Sequence, residues 1–263
     1  MIRTNLFDQS GARTIKEKVG CFSVIEYERD ISVTPDNAQA AYFEAEMNIK
    51  KRQLIAQLSD DCGAIVQAGA MQLMIGDIDV TTDVESAGEF LKKLVGSAVT
   101  NETIIKPYYR GKGLLVLEPT YNHVILENVR DWGEGIVIED GMFLACDDSV
   151  YYELTSRKTL SSAIFGGEGL FNTLLYGDGI VALESPVPKE ELIMVELKDD
   201  ILKVDGNMAV AWSSELRFTV QKSMKTLIGS AVSKEGLVNV YEGTGKVLVA
   251  PIRANRNITF PKQ

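Results

Sequence analysis

Three Gly-x-Gly segments, which begin at Gly111, Gly177 and Gly243, are the residues that most suggest a phosphate-binding loop. A dinucleotide-binding fingerprint requires a third glycine three residues after the second, and none of the three segments has one. Each segment continues into an apolar run typical of a strand, whereas phosphate groups are bound at the start of a helix. We therefore interpret these glycines as tight turns or bulges that need a positive φ.

Two further segments resemble ligand loops. Asp77–Asp83 has the alternating acids of a calcium loop, but the EF-hand pattern requires glycine and glutamate where this chain has Thr82 and Gly88. We interpret it as a solvated loop. Gly166–Gly169 contains Glu168, and a glutamate recurs at the corresponding place in each of three similar stretches of the chain. Such recurrence favours a role in the geometry of a repeat, so we interpret this segment as a turn.

His123 is the single histidine of the chain. One histidine excludes the two-histidine zinc motifs, and no Gly-x-Ser-x-Gly nucleophile elbow is present for it to serve as a base. We interpret His123 as a surface turn residue at the start of a strand. The sequence therefore predicts no catalytic residue, no metal ligand and no cofactor-binding residue.

The three cysteines, Cys21, Cys62 and Cys146, are far apart and form no Cys-x-x-Cys pair. An odd count without framework spacing predicts free, mostly buried thiols in a reducing compartment. The first residues contain no apolar segment typical of a signal peptide, and no stretch has the roughly 18 apolar residues of a membrane span. We expect a cytoplasmic protein without a membrane span.

The charge balance limits the partners. The chain has 37 acidic and 27 basic residues and a formal net charge of −10. A surface of that sign repels phosphate backbones and anionic lipid headgroups, and the longest basic run is only Lys50–Arg52. The composition therefore disfavours nucleic acid and a bare membrane surface as partners.

The elements that carry these residues follow from an internal repeat. The steps 177 − 111 and 243 − 177, which separate the three Gly-x-Gly segments, are both 66 residues. Short β-branched runs separated by glycine and aspartate predict strands and hairpins. The alternating apolar residues of Ala41–Met47 predict a further strand that enters the first repeat. We predict an all-β fold of three similar β-sandwich-like repeats around a pseudo-threefold axis.

The predicted units are an N-terminal extension over residues 1–39, repeat 1 over 40–119, repeat 2 over 120–186, repeat 3 over 187–251 and a C-terminal tail over 252–263. Each repeat alone is too small and too open-edged to be stable, so the three are expected to share a core or pair across edges. The glycines predicted to occupy structural turns are Gly69, Gly111, Gly141, Gly177, Gly206 and Gly243.

Four segments in order give the chain a family resemblance: Gln67–Met71, Gly166–Phe171, Tyr176–Leu183 and Leu202–Ala211. Together they resemble the mitochondrial biogenesis family, named after the altered inheritance of mitochondria protein 24, over about residues 40–251. The resemblance implies three similar β units with a fold like that of the tryptophan RNA-binding attenuation protein, which assembles into rings. It implies no enzyme activity. The N-terminal extension and the turn Asp60–Cys62 depart from the family pattern.

These observations favour a non-catalytic binding or scaffolding protein that needs no cofactor. We expect self-association, with a trimer favoured by the family resemblance, and an unknown protein partner remains open. One alternative is an enzyme or a small-ligand binder with a site assembled between repeats, which sequence spacing cannot reveal. A second alternative is RNA binding, which depends on fold analogy only.

Overall fold

The computed structural model describes residues 3–8, 11–82, 106–156, 171–206, 208–222 and 237–252. Within these ranges the chain is nearly all strand, with one α-helix, α1 (Ala38–Glu46), and two short 3-10 helices, Val129–Trp132 and Lys189–Glu191. The strands are β1 (Arg13–Val19), β2 (Phe22–Tyr27), β3 (Arg52–Leu58), β4 (Ala64–Val66), β5 (Met71–Thr82), β6 (Pro107–Leu117), β7 (His123–Asn128), β8 (Gly135–Ile138), β9 (Phe143–Asp147), β10 (Val150–Ser156), β11 (Phe171–Gly177), β12 (Ile180–Ser185), β13 (Ile193–Asp205), β14 (Ala209–Ser213), β15 (Arg217–Lys222) and β16 (Leu237–Val249).

The strands form two antiparallel sheets. The first sheet has the order β1-β2-β3-β6-β4-β9-β12-β7, with β5 paired to β6 beside this path. The second has the order β10-β11-β8-β14-β16-β13, with β15 paired to β16. The predicted all-β class is therefore confirmed at the level of secondary structure. The arrangement as three repeats around an axis stays a prediction.

Two long-range pairings connect strands that hairpins alone would leave apart. β4 pairs with β9, with Ala64 opposite Asp147 and Val66 opposite Ala145. β8 pairs with β14, with Ile138 opposite Ala211. Antiparallel neighbours can be joined by a tight turn, whereas these two pairings join residues 83 and 73 positions apart (147 − 64 and 211 − 138).

The described residues form three main cores and one smaller cluster. The first core is built by the first sheet and includes Phe22, Leu54, Ala64, Val66, Leu115 and Ala145. The second core is shared by both sheets and includes Trp132, Ile136, Ile138, Cys146, Ala211 and Leu248. The third core lies on the other side of the second sheet and includes Val137, Val204, Trp212, Tyr241 and Val247. The smaller cluster is Ile25, Ile55 and Val116.

The segment predicted as a strand over Ala41–Met47 is helical, so that prediction is wrong. α1 begins at Ala38 and contains four alanines and two glutamates, which are strong helix formers. Only Ala45 of this helix is buried. The alternation of apolar residues therefore does not mark one face of a sheet, because no described strand pairs with this segment.

The recurring glycines Gly111, Gly177 and Gly243 have φ values of 127°, 109° and 127°. Their surroundings differ. A Cβ atom at Gly111 would lie 2.1 Å from the backbone oxygen of Asp77, and one at Gly177 would lie 2.5 Å from that of Ser149. At Gly243 the nearest such atom is a side-chain carbon 3.7 Å away. Backbone contacts of about 2 Å cannot be relieved by rotation of a side chain, so the three positions differ in tolerance.

We predict that Gly111→Ala and Gly177→Ala destabilise the protein more than Gly243→Ala does. Gly243→Ala should cost about 1–2 kcal/mol from the positive φ alone, and each of the other two about 3 kcal/mol or more, because strand backbone must also move. Urea unfolding of the three variants side by side measures the difference. Equal losses would contradict the clashes described above.

Candidate functional site

Three side chains that could do chemistry meet beside the first core. Cys21 lies in the turn between β1 and β2, Cys62 in the turn after β3, and Asp147 at the end of β9. Their sulfur and carboxylate atoms all lie within 4.8 Å of one another, and Sγ of Cys21 is 3.3 Å from Oδ1 of Asp147. Cys21 and Cys62 form a disulfide with a Cα–Cα distance of 6.8 Å. We call these three residues the cysteine–aspartate cluster.

The carboxylate of the cluster is fixed by the backbone. Oδ2 of Asp147 accepts a hydrogen bond of 2.7 Å from the amide of Ile180, the first residue of β12. Burial raises the pKa of Asp147, and the neighbouring carboxylates of Asp148 and Asp178 raise it further. The hydrogen bond from Ile180 acts in the opposite direction and lowers this pKa. Asp148 itself accepts a hydrogen bond of 2.8 Å from the hydroxyl of Tyr108 and forms an ion pair with Arg110.

The prediction that all three cysteines are free thiols is wrong, because Cys21 and Cys62 are paired. Cys146 alone among them is free, and it is fully buried in the second core. Burial raises the pKa of the Cys146 thiol, so this cysteine stays protonated and unreactive. The argument for a reducing compartment that depended on free thiols loses this support.

The donor set of the cluster permits two states. In the oxidised state the two sulfurs cross-link the β1–β2 hairpin to the turn that follows β3. In the reduced state two thiolates and one carboxylate would face each other, which is a set of ligands that suits zinc. Sequence reasoning missed the cluster because its members are separated by 41 and 85 residues, and only the sheet pairing brings them together.

A polar groove lies where the β1–β2 hairpin meets β3 and β7. The groove has a volume of about 310 Å³, and its lining includes Lys16, Glu26, Arg52, His123 and Lys189. At its base Nε of Arg52 donates a hydrogen bond of 3.0 Å to Glu26, and both side chains are buried. The charges of Arg52 and Glu26 therefore neutralise each other within the groove. If the protein has the small-ligand site between units that was given as an alternative function, this groove is where that site would lie.

His123 faces this groove. It is the first residue of β7, so the prediction that it begins a strand is confirmed. It pairs with Ser185 of β12 and is half-buried, so it is not a surface turn residue. Burial, followed by the positive charge of Arg52, lowers the pKa of His123 to about 4. The imidazole is therefore neutral at pH 7, and it lies beside charged groups without carrying a charge of its own.

The sequence-predicted turn glycines do not converge on one place. Gly69, Gly141 and Gly206 lie in turns and have φ values of 83°, 84° and 57°. Asp77–Thr82, predicted as a solvated loop, belongs to β5, so the chain is extended there. Gly166–Gly169, including Glu168, lies outside the described residues.

Large apolar side chains are exposed along two strands. On β5 these are Met71, Leu73, Met74 and Val80, and on β13 they are Ile193, Met194 and Ile201. Leu73 is 38% exposed and Ile201 is 51% exposed. Among the described residues β5 pairs only with β6, and β13 pairs only with β16, so each strand has one edge without a neighbour. Exposed apolar residues along an unpaired edge are typical of an interaction surface.

The fold is that of a nearly all-β protein with antiparallel sheets. Within the described ranges no helix is long and apolar enough to cross a membrane. A family model described as mitochondrial biogenesis AIM24 matches residues 43–252, and the chain belongs to this family. The family resemblance predicted from sequence is therefore confirmed, whereas the similarity to the tryptophan RNA-binding attenuation protein stays a prediction.

Two streptococcal proteins are similar to this chain. The uncharacterized protein M6_Spy0233 of Streptococcus pyogenes serotype M6 is 29% identical over 194 residues, which are 70% of this chain and 75% of that protein. The crystal structure of protein SPYM3_0169 from Streptococcus pyogenes superposes with a TM-score of 0.56 at 22% identity. The match covers 78% of this chain and 90% of that chain, and it supports the fold alone.

We predict that opening the Cys21–Cys62 disulfide lowers the stability of the protein. The bond closes a loop with a sequence separation of 41 residues, and loss of that constraint should cost about 3–4 kcal/mol. Urea unfolding with and without a dithiol reductant measures the loss. The matched control is the double variant Cys21→Ser with Cys62→Ser, whose stability should be low already and should not respond to the reductant. An equal response of both proteins would contradict the assignment.

We predict that His123 makes the protein less stable in mild acid. The pKa of His123 is depressed in the folded state, so as the pH falls the unfolded chain binds a proton before the folded protein does. The contribution of the neutral imidazole to the free energy of unfolding is therefore present above about pH 6.5 and is lost as the pH falls toward 4. With a discount for its partial exposure, the loss should be on the order of 1–2 kcal/mol.

The measurement is urea unfolding at pH 7 and pH 5 of the natural protein and of His123→Gln. The variant should lose less stability between the two pH values. Burial raises the pKa of Glu184, which contributes in the opposite direction, with stability lost as the pH rises; comparison of the two proteins cancels this contribution. An identical pH dependence of both proteins would contradict the prediction.

Proposed function

We propose that this protein is a non-catalytic, self-associating scaffold that binds through its two uncovered strand edges. The observation that carries the proposal is the exposure of apolar side chains along β5 and β13. β9 and β14 each have a neighbouring strand on both edges, and their side chains are buried: Phe143 and Leu144 in β9, and Ala209–Ser213 in β14. Burial of one exposed apolar side chain contributes roughly 1.5–3 kcal/mol, so an association that covers several of them is favourable.

The proposal includes the three-unit arrangement predicted from sequence. Three long hairpins support it, because β5 pairs with β6, β10 with β11 and β15 with β16. The recurring glycines Gly111, Gly177 and Gly243 lie in β6, β11 and β16, the second strands of these hairpins. If the chain consists of three similar units, β4 and β8 are equivalent strands of successive units, and β9 and β14 are a second equivalent pair.

The proposal also concerns the assembly and the setting. We infer a closed oligomer, with a trimer favoured by the family resemblance, because closed symmetry is the usual way to cover open edges. An additional protein partner would bind to the same apolar strands. The cytoplasmic location expected from the sequence has the Cys21–Cys62 disulfide against it, because disulfides are rare in a reducing compartment. The net charge of −10 disfavours RNA as a partner, which leaves the second alternative with fold analogy as its only support.

We predict that the natural protein has the mass of an oligomer in light scattering at tens of micromolar. The double variant Leu73→Lys with Ile201→Lys should shift it to a monomer, because two charges replace apolar contacts on the two edges. Phe43→Lys is the matched control: Phe43 is 57% exposed on α1, outside both edges, and its variant should keep the oligomeric mass. A natural protein that is strictly monomeric at this concentration would contradict the proposed function.

A further inference from the structure

The two long-range pairings have the same register. In the first, Ala64, Ile65 and Val66 of β4 lie opposite Asp147, Cys146 and Ala145 of β9. In the second, Ile136, Val137 and Ile138 of β8 lie opposite Ser213, Trp212 and Ala211 of β14. On the β9 and β14 side the matching residues differ by 66 positions (211 − 145, 212 − 146 and 213 − 147), which is the step of the sequence repeat.

The same correspondence can be extended to the two ends of the molecule. The residues that lie opposite β4, β8 and β13 on β6, β11 and β16 show which residues of the three strands correspond. Leu202 of β13 lies opposite Tyr241, as Ile136 lies opposite Leu175 and Ala64 opposite Tyr109, again in steps of 66 on β6, β11 and β16. Leu202, Lys203 and Val204 are therefore the counterparts of β4 and β8.

The counterparts of β9 and β14 lie on β5. Leu73, Met74 and Ile75 lie opposite Val116, Leu115 and Leu114. Ala145 lies opposite Ala182, and Ala211 opposite Leu248. The residues opposite Leu73, Ala145 and Ala211 are therefore 66 positions apart (182 − 116 and 248 − 182), so Leu73 is the counterpart of the two alanines. The molecule therefore contains two complete pairings and the two unmatched halves of a third.

We propose that these halves join between two copies of this chain. The edge of β13 in one copy pairs antiparallel with the edge of β5 in the next, with Leu202 opposite Ile75, Lys203 opposite Met74 and Val204 opposite Leu73. This inference rests on the proposed self-association and names its partner, a second copy, and its register.

The apolar faces fit this pairing. In the first pairing Ala64, Val66 and Ala145 share the first core, and in the second Ile136, Ile138 and Ala211 share the second core. At the unmatched ends the corresponding core is divided. Val204 belongs to the third core, whereas Val116, the neighbour of Leu73, belongs to the small cluster.

Pairing of the two edges would bring the third core and the small cluster together as one core. Lys203 and Met74 lie on the opposite face of the new pair. A lysine there can pack its aliphatic stem against Met74 while its ammonium group remains in water, so it is compatible with the pairing. Lysine on an edge strand also discourages association in any other register.

The test is a disulfide between copies. Met74→Cys and Lys203→Cys are made as separate variants, mixed, oxidised and analysed on a non-reducing gel. Residues directly opposite in an antiparallel pair have Cα atoms about 4.5–5.5 Å apart, which suits a disulfide. The natural cysteines do not interfere, because Cys21 and Cys62 are paired and Cys146 is buried. We expect a covalent dimer that contains one copy of each variant.

The matched control is Asp79→Cys mixed with Lys203→Cys. Asp79 is exposed on the same strand as Met74 and lies five residues away, about 16 Å along the strand, beyond disulfide reach. This mixture should give no covalent dimer above background. An equal yield from both mixtures would overturn the register.

Two further results overturn the inference in distinguishable ways. A chain that carries both Met74→Cys and Lys203→Cys, and that forms only an internally linked monomer, would mean that the third pairing closes within one molecule. An oligomeric mass in light scattering without the mixed disulfide would refute the register while the proposed self-association stands. A monomeric mass would refute both.

Discussion

The architecture depends on antiparallel backbone pairing between strands that belong to different hairpins. β4 and β8 are three and four residues long, which is too short to hold sheets together by side-chain burial alone. Each is paired on both edges, so its backbone groups are satisfied and its side chains can be buried on both faces. The second core combines residues of both sheets, with Ile138 and Ala211 from the β8–β14 pairing and Cys146 from β9.

The same constraint explains why the ends of the molecule differ from its middle. A strand with two neighbours can bury apolar residues, as in β9, where Ala145 and Cys146 are closed from solvent. A strand with one neighbour exposes residues of the same character, as in β5, where Leu73 and Met74 remain accessible. Among the described residues, β5 thus exposes apolar side chains of the kind that β9 buries, and these are the side chains that the proposed self-association would cover.

Local patterns in the sequence were sufficient to predict the all-β class, because strand propensity is a property of short segments. They also indicated glycines that have a positive φ, although Gly111 and Gly243 lie within strands and not in the predicted turns. They failed at Ala41–Met47, where alternation coincided with strong helix formers and no partner strand was present to decide between the two. They also failed at Cys21 and Cys62, since their meeting depends on β2 pairing with β3 and not on any spacing. Long-range contacts of this kind leave no local signal.

The cysteine–aspartate cluster lies partly outside the region that the family model matches. The family match begins at residue 43, so Cys21 lies in the part of the chain that the match does not cover. The β1–β2 hairpin extends the first sheet beside β3, where it covers the small cluster through Ile25. Its disulfide to Cys62 anchors this added hairpin to the turn after β3 at its far end. The small cluster lies beside β5, so an anchored hairpin would hold in place the side of the molecule that takes part in the proposed pairing with β13.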